Sequence, residues 1–111
     1  MNIEKLNDLQ KCLEILVMDD FYTNKETFEV ILKSTIYDIL SPLLDSMKEE
    51  CDSKDKLFKF LVKLDRNLKA IITVKMHNIE DDKTLYEHRR TIQQWIKYYQ
   101  DKLKEILKEY E

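Results

Sequence analysis

"LYEHRRTIQQWIKYYQDKLKEILKEY", residues 85–110, sets Leu85, Arg89, Ile92, Ile96, Tyr99, Leu103, Ile106 and Tyr110 at alternating steps of four and three. That spacing keeps one stripe on one side of an α-helix and is the period of left-handed bundle packing. A helix from near Asp82 to about residue 110 would be roughly 42 Å long at 1.5 Å per residue. Its stripe needs apolar partners over that whole length, and the preceding residues supply them as three further helices.

Leu6, Leu9, Leu13 and Leu16 repeat at helical spacing and predict a first helix over 3–18, closing at Asp19 and Asp20. "TNKE" (23–26) then reads as a capping box, with the Thr23 hydroxyl and the Glu26 carboxylate satisfying the first free amides of a second helix over 24–51. Phe28, Ile31, Leu32, Ile36, Ile39, Leu43 and Met47 form its stripe, which "LSPL" interrupts. Pro42 has no amide hydrogen and disfavours helical geometry at Ser41, so a kink or break is expected at 40–42, with Ser41 as a fresh N-cap. A third helix over 54–77 carries Leu57, Phe60, Leu61, Leu64, Leu68, Ile71, Ile72 and Met76, an arc wide enough to be flanked on several sides.

The chain has 111 residues with no glycine and one proline, so it lacks the residues that tight hairpins require. Short polar connectors make successive helices antiparallel. The expected fold is therefore all-α: an up-down-up-down four-helix bundle in a single domain spanning 1–111, its second helix kinked or broken at Ser41–Pro42.

This topology places two connectors at one end. Asp19 and Asp20 would lie near "MHNIEDDKTLYEHRR" (76–90), which holds both histidines of the chain. His77, His88, Asp19 and Asp20 are weak candidates for a metal or small-ligand site, but no HxxxH, HExxH or paired ExxH spacing supports them. The same residues have an electrostatic reason to be polar, since carboxylates favour a helix N-terminus and a histidine favours a C-terminus. Arg89 interrupts the apolar stripe, and an unpaired buried charge costs several kcal/mol. A structural pair with Asp19 or Asp20 is the expected answer.

Function classes narrow by elimination. A net charge of −3 argues against nucleic-acid binding by bulk electrostatics, although Arg90, Lys97, Lys104 and Lys108 form a basic line interrupted by Glu87 and Asp101. The start "MNIEKLNDLQ" lacks a basic and then apolar leader, and no run reaches ~18 apolar residues, so a cytoplasmic protein without a membrane span is expected. Cys12 and Cys51 form no CxxC pattern and read as free thiols. Glycine-rich phosphate loops are impossible here, and no cofactor or catalytic residue is expected.

What remains is surface. The first helix, about 24 Å long, would run out before covering Met47, Leu103, Ile106, Leu107 and Tyr110 at the far end, leaving a patch for the kinked segment or a second chain to close. Trp95 and Tyr98, with Arg90 nearby, offer aromatic and cationic anchors of the kind favoured at interfaces. The sequence thus points to a non-enzymatic module that binds a protein partner or forms a homodimer, with a metal- or ligand-binding bundle as the alternative.

Overall fold

A computed structural model describes residues 3–110, with the side chain of Tyr110 outside the described part. It is a four-helix bundle without strands among the described residues. The first helix is α1 (Ile3–Leu16), followed by a 3₁₀ turn at Asp19–Tyr22. The second is α2 (Lys25–Lys33), a π-helical stretch (Ser34–Leu40) and α3 (Ser41–Glu49) in one continuous, kinked rod. Next come α4 (Lys56–Ala70), which widens into a π turn (Ile71–Lys75) and tightens into a 3₁₀ turn (Met76–Asn78), and the 29-residue α5 (Asp82–Tyr110). At about 44 Å by its residue count, α5 matches the molecule's 42 Å long axis.

Contacts between distant residues fix the up-down-up-down order. At one end the Lys25 amide donates to Asp82 Oδ1 (2.7 Å) and Lys25 Nζ to the Glu80 carbonyl (3.2 Å), joining the first connector to the third. At the other end Lys5 Nζ reaches Ser46 Oγ (2.8 Å) and Glu50 Oε1 (2.5 Å), and Lys56 Nζ lies 3.7 Å from Glu109. Between the ends the buried leucines and isoleucines of all helices form one cluster, from Leu6 and Leu13 through Leu44 and Leu64 to Ile92 and Leu103.

Local chemistry differs from the sequence reading at three places. The cap of α2 is Asn24, whose side chain accepts from the Thr27 amide (2.9 Å), while Thr23 Oγ1 donates back to the Asp20 carbonyl. The expected Thr23–Glu26 box is displaced by one residue because the 3₁₀ turn already occupies Thr23. Ser41 is not a new N-cap: its φ of −60° and ψ of −48° are helical and its amide donates to the Ile36 carbonyl, five residues back. A proline ring collides with the carbonyl four residues earlier in a regular helix, and the wide π turn ahead of Pro42 relieves that collision without breaking the rod. The distortion therefore covers 34–40 rather than 40–42.

The third difference concerns length. The first helix was expected to leave the far end bare, yet Lys5 stands against Ser46 and Glu50 there. Residues 17–24 make the reach possible, because the 3₁₀ turn packs on α5 and covers the connector end in place of helix. Met47 and Leu103 are 0% exposed and Leu107 only 9%, so these three expected partner-facing residues are core, closed over by α3 and α1. Ile106 is half-buried, and Tyr110 lies outside the described side chains.

Buried Leu103 has a measurable consequence. Leu103→Ala should lower unfolding stability by about 2–5 kcal/mol in urea denaturation, the cost of lost burial plus a cavity. Leu103→Glu should unfold the chain rather than split a dimer.

Candidate functional site

The polar end resolves into caps. Asp81 Oδ1 accepts from both the Thr84 amide (2.8 Å) and the Thr84 hydroxyl (2.8 Å), closing the start of α5. The backbone bond, then the hydroxyl bond, hold the Asp81 carboxyl below the usual carboxylate range. Asp82 caps the neighbouring rod through the Lys25 amide. Two of the three acids of "EDD", Asp81 and Asp82, thus serve two helix N-termini.

The histidines do not meet each other, and of the three acids only Glu80 shares a groove with one of them, His77. His77 lies in an open groove with Lys25, Glu29 and Lys33, and His88 in a small pocket with Lys75, Asn78 and Thr91, the two separated by buried Ile79. Asp19 faces a third place, where Gln93 Nε2 donates to its Oδ1 (2.7 Å) and to the Val17 carbonyl (2.9 Å). Among the described residues no three His, Cys, Asp or Glu side chains are grouped to hold a metal ion.

Gln93 also corrects the expected pair of Arg89 with Asp19 or Asp20. It lies one turn past Arg89 on the side facing α1, and its amide takes Asp19 while satisfying the carbonyl left free at the end of α1. The Arg89 guanidinium instead lies 4.0 Å from the centre of the Tyr86 ring, three residues back on the same helix. It is half-buried and makes no ion pair among the described residues.

The surface with most room lies between α4 and α5. Backbones of these two helices seldom approach closely, whereas α5 packs tightly on α1. Aromatic rings fill the separation: Phe60 of α4 faces Tyr99 of α5 with ring centres 6.0 Å apart, and Asn67 Nδ2 donates to the Tyr99 hydroxyl. Below Tyr99 the helices leave an open groove of ≈590 Å³. Phe60, Tyr99 and Ile106 make its floor. Lys56, Lys59 and Lys63 line the α4 edge, and Tyr98, Lys102, Glu105 and Glu109 the α5 edge.

The arrangement follows from helical spacing. Residues 56, 59 and 63 share one face of α4, as 95, 98, 102, 105 and 109 share one face of α5. Tyr98 is 56% exposed and stands edge-on to Tyr99 at 5.2 Å, with Lys102 Nζ 5.7 Å from its ring. Trp95 is 37% exposed and carries Lys75 Nζ over its ring at 5.2 Å; it lies one turn before Tyr98 on the same face of α5, beside Asn67 and Ile71 and outside the groove's lining. Of the expected partner-facing residues, Trp95 is therefore exposed one turn beyond the groove, and Tyr98 and Ile106 meet in it. Arg90 does not: with Lys97, Lys104 and Lys108 it lies about a quarter turn around α5.

Sequence reasoning missed Lys56, Lys59, Phe60, Lys63, Tyr99 and Lys102. A signal existed for the lysines, since "KLFKFLVKLDR" (56–66) repeats cations at helical spacing beside an apolar stripe. The basic stripe was sought on the last helix alone. Phe60 and Tyr99 read only as core.

No protein-family model, no curated protein and no solved structure matches this chain. Among the described residues no helix is long and apolar enough to cross a membrane.

Two predictions follow from these contacts. Gln93→Leu should lower unfolding stability by about 1–3 kcal/mol in urea, because the Val17 carbonyl loses its donor. Asp81→Asn should change acid unfolding. A carboxyl held low by folding adds stability above its unfolded pKa and loses it as pH falls through the folded value, so the substitution should flatten the acid limb of a stability–pH curve.

Proposed function

We propose that this chain is a non-enzymatic protein–protein interaction module, a small helical regulator, inhibitor, chaperone or assembly subunit, and that its partner seats in the α4–α5 groove. One observation carries the reading: a ≈590 Å³ trough floored by Phe60, Tyr99 and Ile106 and edged by exposed Tyr98, with Trp95 exposed one turn further along the same face of α5. Tryptophan and tyrosine are enriched among residues that dominate binding energy, and a trough between antiparallel helices accepts a third helix by the packing rules that built the bundle.

The thiols agree with a binding rather than a catalytic role. Burial, then the neighbouring Asp8, push the Cys12 thiol up; burial, then Asp55, do the same at Cys51. Such thiols are poor nucleophiles at neutral pH.

A photo-reactive phenylalanine analogue at position 98, compared with the same residue at exposed position 30 on α2, tests the reading in extracts of the native host. Position 98 should give an adduct of discrete mass and position 30 none; an adduct from position 30 alone would overturn the assignment. With that partner in hand, Tyr98→Ala should weaken binding by about 2 kcal/mol, roughly thirtyfold, without changing thermal stability.

A further inference from the structure

We infer that the occupant of the α4–α5 groove is an acidic amphipathic helix of another protein, its apolar side on Phe60, Tyr99 and Ile106 and its carboxylates along the lysines of α4. This deepens the interaction-module reading and rests on it.

Charge complementarity carries the argument. The chain as a whole is net negative at −3, yet the α4 edge of the groove is purely cationic. Lys59 and Lys63 make no ion pair among the described residues, and Arg66 extends their stripe by one more step. A row of like charges beside an apolar floor is costly to desolvate unless the incoming surface brings the opposite sign. The α5 edge is mixed, with Lys102 beside Glu105 and with Glu109 reaching across to Lys56 at the groove's end, so a uniform polyanion would meet repulsion on that side. An amphipathic helix with acids on one flank meets both edges favourably. The groove is lined along α5 from residue 98 to residue 109, about 17 Å, or some 11 residues of helix.

A second copy of this chain is a poorer fit. An inserted helix needs exposed apolar anchors near i, i+3 or i+4, and i+7. The exposed large apolar side chains among the described residues include the pairs Ile15–Met18, Val30–Tyr37 and Trp95–Tyr98, and no helix presents three at that spacing. The leucine stripe of α1 is spent in the core.

The test uses two synthetic 16-residue helical peptides with the same Leu, Leu and Phe anchors, one with glutamate and one with lysine at the flanking positions, and a fifteen-nucleotide oligo-thymidylate. Binding is read by the emission of Trp95, the only tryptophan, and by amide shifts of α4 and α5. The acidic peptide should shift residues 56–63 and 95–106 and bind at least tenfold tighter than the basic one. The gap should narrow with added salt and vanish in Lys59→Glu/Lys63→Glu, whose circular dichroism should match the parent. Equal affinity of both peptides at these residues would overturn the charge assignment while leaving the groove reading intact. No shift with any probe would overturn both. Tighter binding of the oligonucleotide, or sedimentation as a dimer that the acidic peptide does not dissociate, would replace the occupant by nucleic acid or by a second copy.

Discussion

A chain without glycine cannot use the left-handed backbone cheaply, and no described residue has a positive φ. Every reversal must then be made from right-handed turns and extended residues, and the first amides of each helix, which no α-helix satisfies internally, need acceptors from outside it. Side-chain oxygens take over: Asn24 for α2, Asp81 for α5, Asp52 for the Lys54 amide, and Asp82 across the bundle for Lys25. The last of these ties two connectors together, so it sets the height at which the second rod stands against α5.

The same end shows how polar residues that look catalytic can be spent on architecture. Gln93 closes the end of α1 by serving a backbone carbonyl and Asp19 at once, while Tyr22, folded under the 3₁₀ turn, donates to the Leu16 carbonyl (2.6 Å). Burial, then the nearby Asp19 charge, push the Tyr22 hydroxyl pKa up and keep it a donor. With those groups committed, the surface we propose for binding lies elsewhere, on two helices that aromatic rings hold apart.

The architecture was legible because apolar periodicity is read directly from one sequence. The four rods, their order, the disturbance around Pro42 and the meeting of the first and third connectors all follow from spacing and connector length. Individual partners were less legible. Charge alone pairs Arg89 with Asp19 or Asp20, but an amide one turn later reaches both Asp19 and the open end of α1. The short first helix was an error of length, since a non-helical turn can cover as much bundle as a helical one. Closure of that end by the segment after Pro42 is one of the two expected outcomes, and Leu44 and Met47 are buried there. The groove itself was half visible: Trp95 and Tyr98 could be read as exposed anchors, whereas its depth depends on how far Phe60 and Tyr99 separate two backbones. Side-chain spacing along each helix carries no record of that distance.

The central claim is that the α4–α5 face is the working surface. Photochemically induced nuclear polarisation reports which tyrosine and tryptophan rings a dye can touch, and it can be recorded on the free chain and on the chain bound to its partner. Trp95, Tyr98, Tyr37 and Tyr86 are all exposed in the free molecule, the last two away from the groove. Binding should quench Trp95 and Tyr98 and leave Tyr37 and Tyr86 bright. Loss of the Tyr37 or Tyr86 signal with Trp95 and Tyr98 unchanged would contradict the account.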